Sequence, residues 1–238
     1  MIVLFAISPT VDITACKWDT VIPFEPLWEQ YKRIIKPNGA IVLFGSQPFT
    51  SALVMSNPKW FKYEWIWEKS NGGGFLNANK MPLKRHENIL VFYNKRAGYN
   101  PQFSKGNPYS CRSSSAGETT RDQTVKGWIT ENKGRRHPTS KLKFSNETGL
   151  HGTQKSVKLL EYLIKTYSIE GELILDNTAG SGSLAIAAIN TKRKYICIEK
   201  DDHYFQVMQD RIANHNPIAP PPKKSKPRPV PEGQLSLF

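Results

Sequence analysis

Long apolar runs are missing from this sequence, and cysteine and acidic residues are scarce. No apolar segment approaches the roughly 20 residues that a membrane-spanning helix needs. The apolar first seven residues have no basic region before them, so we expect neither a signal peptide nor a membrane partner. Cys16, Cys111 and Cys197 lie far apart and form no C-x-x-C pair. This spacing argues against a metal site or a disulfide framework, and it predicts a protein of the reducing cytoplasm.

The shortage of acids leaves the chain strongly basic. It has 238 residues, with 33 Lys and Arg against 20 Asp and Glu and a formal net charge of +13. Such an excess favours a polyanionic partner such as a nucleic acid, although a generically basic protein would have the same composition. The length predicts one α/β domain with additions, and the sequence contains no internal repeat.

A nucleotide-binding pattern lies in the last third of the chain. The apolar run 173–175 ends on Asp176, a loop of small residues follows, and a helical pattern covers 184–190. A second apolar run, 195–198, ends on Glu199. Glycines let such a loop turn sharply and approach a ligand, the helix start offers unpaired N–H groups, and an acid after the second strand can bind a ribose. The pattern predicts a βαβ nucleotide-binding unit, although the glycines alone could simply form a tight turn.

The loop departs from the dinucleotide fingerprint G-x-G-x-x-G, because Ala185 stands where the third glycine belongs. It resembles instead the motif D-P-F-x-G-S-G-T of DNA amino-methyltransferases, which use the cofactor S-adenosylmethionine (SAM). Asn177 and Thr178 replace the Pro-Phe pair, and Ser183 replaces the Thr. The resemblance implies SAM as the cofactor and no metal.

A second motif precedes the glycine loop. Residues 151–155 read HGTQK and resemble the same family's H-x-T-Q-K-P, with Ser156 at the position of the proline. Thr153 also suits the N-cap of an amphipathic helical pattern that starts at Val157. A capped structural helix would explain this segment alone, but two motifs in the family's order favour the family. The resemblance implies a cofactor site made of Thr153, Gln154, Lys155, Asp176, Asn177, Thr178, Gly180, Ser181, Gly182, Ser183 and Glu199.

The resemblance places the catalytic motif near the amino terminus. From Ile13 the chain reads ITACKWD, which resembles the segment that follows the family's motif D/N/S-P-P-Y/F/W. Counting back gives Ser8, Pro9, Thr10 and Val11 as the catalytic positions. In the family, the polar side chain and the first proline's carbonyl accept hydrogen bonds from the base amine, and the aromatic stacks on the flipped base. Val11 offers no stacking face, which predicts a rate penalty of about tenfold or more.

The remaining pattern predicts a doubly wound, mostly parallel sheet of the Rossmann-like type found in SAM-dependent methyltransferases, with its strand order circularly permuted. Residues 71–74 are expected to form a flexible loop. The other predicted elements are strands within 1–7, 40–44, 60–67 and 89–93, and helices over 24–35 and 204–212.

A basic insertion, residues 94–150, separates the two groups of motifs. Within 95–143, eleven Lys and Arg stand against three acids, interleaved with aromatic residues. In the resembled class the target-recognition region lies between the catalytic and cofactor motifs, which favours DNA binding here, although composition alone favours a solvated loop. The candidate DNA contacts are Lys84, Arg85, Arg135 and Arg136.

The end of the chain differs from the methyltransferase domain, which we assign to residues 1–215. Residues 216–238 are rich in Pro and Lys and predict an extended linker. The last five residues, QLSLF, resemble the pentapeptide Q-L-S/D-L-F by which many bacterial replication and repair proteins bind the sliding clamp. A tail folded back onto its own domain is the alternative. The implied clamp contacts are Gln234, Leu235, Leu237 and Phe238.

The resemblance as a whole implies transfer of a methyl group from SAM to an amino group of double-stranded DNA. The segment after Ile13 favours adenine N6, whereas Ser8-Pro9 keeps cytosine N4 as an alternative. A protein of a different class, which binds DNA and SAM without catalysis, is the third hypothesis, because Thr10 and Val11 depart from the motif.

Overall fold

The computed structural model describes residues 2–5, 22–112, 129–147, 149–150 and 154–216, and for 2–5 it describes the backbone alone. The strands in this part of the chain are β1 (Ile2–Phe5), β2 (Ile41–Gly45), β3 (Phe61–Gly73), β4 (Lys84–Phe92), β5 (Ser104–Lys105), β6 (Tyr109–Arg112), β7 (Ile129–Asn132), β8 (Arg135–Arg136), β9 (Lys141–Lys143), β10 (Leu173–Asp176) and β11 (Lys194–Cys197). The α-helices are α1 (Phe24–Ile34), α2 (Phe49–Ser56), α3 (Val157–Tyr167), α4 (Ser183–Asn190) and α5 (Asp202–Ala213), and a short 3-10 helix covers Phe75–Asn77.

A seven-stranded sheet forms the centre of the fold, in the order β11-β10-β1-β2-β4-β3-β9. Within it β4 runs opposite to its two neighbours, and every other pairing is parallel. Strand β1 lies beside β10, with Ile2 opposite Ile174, so that a strand from the first part of the domain and one from its last part are neighbours in the middle of the sheet. The predicted mostly parallel sheet and its permuted strand order are confirmed.

Helices cover both faces of this sheet because successive apolar residues of each strand point to opposite sides. In β2, Val42 and Phe44 pack into the core formed with α3 and α4, whereas Ile41 and Leu43 pack into the core formed with α1 and α2. All of these side chains are fully buried. The strands that run parallel to one another all end at the same edge of the sheet, which we call the carboxyl edge. Ligands of open α/β sheets bind outside such an edge. No helix in the described ranges is both long and apolar enough to cross a membrane.

The hairpin of β3 and β4 extends further than the sequence predicted. A flexible loop was expected at 71–74, but β3 continues to Gly73, which pairs with Lys84. The loop prediction was therefore wrong for Asn71 to Gly73, and the turn begins at Gly74, where φ is +92°. Main-chain hydrogen bonds can hold two strands together without packed apolar side chains. The polar and glycine-rich residues here therefore form no pattern that would predict the extension.

The described part of the basic insertion contains short strand pairs, β5 with β8 and β6 with β7. Strand β9 then joins the main sheet beside β3, where Leu142 is buried in the core. Strands of two to four residues are too short to produce a periodic pattern, which is why the sequence did not predict them. The insertion is thus anchored to the same strand that forms the long hairpin.

Candidate cofactor site and DNA-binding surface

The glycine loop, residues 176–183, lies at the carboxyl end of β10 and folds tightly against the end of β11. The Ile198 N–H donates to the Asp176 carbonyl at 2.8 Å, and the Ala179 N–H donates to the Ile198 carbonyl at 3.0 Å. Gly182 starts α4 with a φ of +74°, and a Cβ atom there would lie 2.6 Å from the Met208 Cγ. Both the backbone angle and the close approach of α5 require glycine at this position.

Asp176 is a buried carboxyl at the start of the loop, and its Oδ1 accepts a hydrogen bond from the Thr178 N–H at 3.0 Å. Burial raises the pKa of Asp176 to about 7; the charge of Glu199 adds to this rise, and Thr178 and Lys155 oppose it. The next residue, Asn177, lies close to the buried hydroxyl of Tyr31 in α1. Asn177 therefore places a polar side chain beside α1, where the resembled motif has an apolar pair.

Glu199 follows β11 and faces the same loop. Its Oε2 accepts the Gly180 N–H at 2.7 Å, and its Oε1 accepts the N–H groups of Lys200 at 2.9 Å and Asp201 at 3.0 Å. These bonds hold the carboxylate in one orientation beside the glycines, and a carboxylate can accept further hydrogen bonds from hydroxyl groups. The arrangement can therefore present a fixed acceptor to a ligand hydroxyl at the carboxyl edge.

Apolar side chains around Glu199 are exposed, a feature that the sequence analysis missed. Ile196 and Ile198 are 45% and 52% exposed along the edge strand and its end, and Phe205 of α5 is 42% exposed. Alternate β-branched residues on an edge strand were the available signal. A flat ring bound here would cover apolar surface that is now in contact with water.

Glu147 and Arg211 connect the two cofactor motifs, and neither was predicted. The Glu147 Oε1 accepts the Val157 N–H at 2.9 Å, and its Oε2 lies 3.8 Å from the Arg211 Nη2. The Arg211 Nη1 donates to the Ser183 Oγ at 3.0 Å and to the Ser181 carbonyl at 3.1 Å. The start of α3 and the glycine loop are therefore held together by a carboxylate and a guanidinium from distant parts of the chain.

The predicted N-cap at Thr153 is wrong. Helix α3 begins at Val157 and its N-cap residue is Ser156, whose side chain makes no capping bond. Thr153 lies three positions too early to cap this helix, and the residue itself is outside the described ranges. Glu147 supplies the missing acceptor, and a negative charge at a helix start is also favourable to the helix dipole.

Lys155, predicted to bind the cofactor, is buried in an ionic cluster. Its Nζ lies 2.8 Å from the Glu87 Oε1 and 5.3 Å from the centre of the Phe44 ring, and Lys69 contacts the other oxygen of Glu87 at 2.8 Å. Burial opposes ionisation of Glu87, but the charges of Lys155 and Lys69 outweigh it and lower its pKa. The cluster fixes the segment before α3 against the sheet. Gln154 adds a hydrogen bond of 3.4 Å to Glu147.

The predicted catalytic positions, Ser8 to Val11, lie outside the described residues, as do Gln234 to Phe238 at the end of the chain. The strand that precedes these positions in the sequence, β1, has a described backbone. Strand β1 lies between β10 and β2, and it ends at Phe5, opposite Leu43. Its carboxyl end is therefore adjacent to the strand that carries Asp176.

Arg135 and Arg136 are neighbours in β8 with different surroundings. The Arg135 guanidinium is exposed and stacks on Phe103 at 3.4 Å. The Arg136 guanidinium is half-buried: it donates to the Asn132 Oδ1 at 2.6 Å and to the Asn107 carbonyl, and it lies over the Tyr109 ring at 4.6 Å. Arg136 therefore holds the short strands together, and Arg135 is the one that presents its donors to solvent.

Lys84 and Arg85 lie at the base of the hairpin turn, on β4 of the main sheet, whereas Arg135 and Arg136 belong to the separate pair of β5 and β8. The Arg85 Nη2 donates to the Ser70 carbonyl across the hairpin at 2.9 Å. Burial lowers the pKa of Lys84. No group of three or more His, Cys, Asp and Glu side chains within the described ranges is arranged to hold a metal ion.

The sheet topology, the glycine loop and the acid after β11 together define an α/β protein of the SAM-dependent methyltransferase fold. A family model for N6/N4 methyltransferases, described as DNA methylase, matches residues 17–210. The match covers most of the chain, and the chain belongs to this family. The family predicted from the cofactor motifs is thereby confirmed.

Individual relatives match shorter or more distant stretches. The type II methyltransferase M.HinfI of Haemophilus influenzae is 26% identical over 208 residues, which are 82% of this chain and 52% of that protein. The type II methyltransferase M2.DpnII of Streptococcus pneumoniae is 35% identical over 68 residues, 29% of this chain and 25% of that protein. The chain thus spans about half the length of M.HinfI and less of M2.DpnII.

Solved structures agree on the fold. The M1.HpyAVI–SAM complex superimposes with a TM-score of 0.58 at 22% identity, covering 88% of each chain. The cytosine-N4-specific PvuII DNA methyltransferase superimposes with a TM-score of 0.62 at 13% identity, covering 91% of this chain and 82% of that one. At these identities the comparison establishes the shared fold.

Proposed function

We propose that this chain transfers a methyl group from SAM to an exocyclic amino group of a base in double-stranded DNA. The observation that carries the proposal is the glycine loop at the carboxyl edge, closed by Gly182 and flanked by Asp176 and the fixed carboxylate of Glu199. Membership of the N6/N4 methylase family and the net charge of +13 support the same function.

The residues present suit SAM. Glu199 would accept hydrogen bonds from the ribose hydroxyls, the exposed Ile198 would pack on the adenine ring, and Asp176 lies at the start of the loop. SAM supplies the electrophilic methyl group. Ser8 and the Pro9 carbonyl would accept the hydrogen bonds of the target amine and orient its lone pair, as the family motif implies.

The cofactor assignment can be tested by calorimetry with Glu199→Ala. Loss of the ribose hydrogen bonds should weaken SAM binding by about 1–3 kcal/mol. Glu170→Ala, which removes an exposed acid far from the loop, should bind as the wild type does. Equal affinity in all three proteins would remove Glu199 from the site, and no binding by the wild type would refute the cofactor itself.

We infer adenine N6 as the methylated atom, because the segment from Ile13 onward resembles adenine enzymes, and cytosine N4 is the alternative. Incubation with tritiated SAM and unmethylated DNA, followed by separation of the nucleosides, distinguishes the two products. Thr10→Pro combined with Val11→Tyr restores the family motif and should raise the rate about tenfold or more. Binding of SAM and DNA without incorporation by either protein would favour the non-catalytic hypothesis.

We also propose that the last five residues bind a bacterial sliding clamp. Leu237 and Phe238 can fill an apolar pocket while Gln234 sets the register, and the Pro- and Lys-rich linker gives the motif reach. The test is recovery of the host clamp on immobilised wild-type protein and on a variant with Gln234, Leu237 and Phe238 changed to Ala. Equal recovery by the two would refute the proposal.

A further inference from the structure

The turn of the β3–β4 hairpin, residues 74–83, forms what we call the hairpin tip. Its large apolar side chains are unusually exposed: Phe75 is 69%, Leu76 101% and Met81 57% exposed. No other described atom lies within 4 Å of a Cβ built on Gly73 or Gly74. The tip therefore stands clear of the domain and buries none of these side chains.

The hairpin tip projects from the carboxyl edge, where the glycine loop lies. Gly45, the last residue of β2, pairs with Asn88 of β4, which in turn pairs with Ile66 of β3. From Ile66 the strand continues to Gly73. At about 3.3 Å per residue this carries the tip roughly 20 Å beyond the end of β2. A ligand at the carboxyl edge would meet the tip and the glycine loop from the same side.

The surroundings of the hairpin tip are positively charged. Residues 70–85 include Lys80, Lys84 and Arg85 and contain no Asp or Glu. Strand β9 pairs with residues 66–68 of the same hairpin and adds Lys143, while Lys141 forms an ion pair with Glu68 at 2.9 Å. This charge favours a polyanion as the partner, and it opposes contact between the tips of two copies of this chain, since each would bring the same charge.

We propose that the hairpin tip inserts Phe75 and Leu76 into the base stack of bound DNA, with Lys80 placed for the phosphate backbone. The inference rests on the proposed function, because it takes DNA as the substrate. Apolar side chains that enter between base pairs unstack them and bend the duplex. Unstacking next to the target reduces the cost of moving a base out of the helix towards the glycine loop.

The test compares three full-length proteins on two labelled duplexes, one fully paired and one with a single central mismatch. In the tip variant Phe75, Leu76 and Met81 are all changed to Ser. In the control variant Met55 and Ile169, which are 71% and 64% exposed near the opposite edge of the sheet, are changed to Ser. Fluorescence anisotropy at several salt concentrations gives the affinity and its salt dependence.

A mismatch is already partly unstacked, so the wild type should bind the mismatched duplex about tenfold more tightly than the paired one. The tip variant should lose this preference and keep the salt dependence, since no charge was removed. The control variant should keep both. A preference that survives in the tip variant, or is absent from a wild type that binds both duplexes, would overturn the inference alone.

Two further outcomes would overturn it for different reasons. No binding of either duplex by the wild type would refute DNA as the partner, and with it the proposed function. A wild-type dimer that the tip substitutions convert to a monomer, measured by light scattering without DNA, would show that the tip contacts a second copy of the chain.

Discussion

Asp176 and Glu199 place two acids at one small site, and their mutual repulsion adds to the effect of burial on Asp176. A ligand that brings positive charge or a hydrogen-bond donor to Asp176 would favour its ionised form. Before such a ligand binds, the folded chain holds a proton on this carboxyl over a pH range in which the unfolded chain has lost it. The site is therefore destabilised by its own charge at neutral pH.

Asp176→Asn should make the ligand-free protein more stable at neutral pH. The pKa of Asp176 rises from 3.8 to about 7 on folding, so the wild type loses stability as the pH rises through this interval. The amide does not titrate, and the difference in unfolding free energy between the two proteins should grow to at most about 4 kcal/mol above neutral pH. Urea unfolding at a series of pH values checks this, and parallel pH profiles would contradict it.

Gly182 is a position in the loop where a side chain would be both strained and sterically blocked. Gly182→Ala should destabilise the protein by about 2–4 kcal/mol, since it adds a clash with Met208 to the cost of a left-handed backbone. Gly171→Ala is the matched control, because Gly171 has a φ of +81° but open space around it, so only the backbone cost applies. Thermal unfolding should give the lowest melting temperature for Gly182→Ala, a higher one for Gly171→Ala and the highest for the wild type. Adding Met208→Ala to Gly182→Ala should recover part of the lost stability.

At the scale of elements, the candidate site depends on how α3, the glycine loop and α5 are held together. Glu147 caps α3, and Arg211 of α5 bonds the loop. The buried cluster of Lys155, Glu87 and Lys69 fixes the residues before α3 to the sheet. These contacts join segments that the family resemblance treats as separate motifs, and they make the geometry of the loop sensitive to changes at its periphery.

Glu147→Ala should therefore affect both stability and ligand binding. Removal of the acceptor for the Val157 N–H should cost about 1–2 kcal/mol of stability, and SAM affinity should fall because Arg211, which bonds the glycine loop, loses its carboxylate partner. Glu170→Ala is the control, since that carboxylate is 66% exposed and lies 3.8 Å from Lys192, which is 77% exposed. A loss of stability with unchanged SAM affinity would limit Glu147 to a structural role.

Considered as a whole molecule, the protein combines a net charge of +13 with basic surfaces on the insertion and the hairpin. We do not expect these charged side chains to contribute equally to DNA binding, because some of them already make hydrogen bonds within the protein. Arg136 is one of these, whereas Arg135 stacks on Phe103 at the surface. The structure thus separates two arginines that the sequence treats as a pair.

Arg135→Ala should lower the slope of log affinity against log salt by about 0.9, the value for one lost phosphate contact on duplex DNA. Arg136→Ala should change the slope little and lower the melting temperature, because it removes the bonds to Asn132 and Asn107. Anisotropy titrations at several salt concentrations and thermal unfolding measure the two effects. Equal slopes for wild type and Arg135→Ala would mean that Arg135 does not contact phosphate.

The sequence alone determined the family, the βαβ unit over 173–199 and the sheet of mostly parallel strands. Each of these depends on local pattern: apolar runs of strand length, a turn that needs Gly182, and an acid placed directly after a strand. Because local backbone preferences and residue order carry this information, it can be obtained without any knowledge of long-range contacts.

The tertiary structure alone decided which side chains support the site and which surfaces face outward. Glu147 meets Arg211 across 64 positions of sequence, and Lys155 meets Glu87 across 68, so neither pair leaves a local signal. The hairpin extends to Gly73 through main-chain hydrogen bonds that polar residues and glycines form as well as apolar ones do. Contacts of this kind join common residue types or depend on the main chain alone. They can therefore be recognised only once the chain has folded.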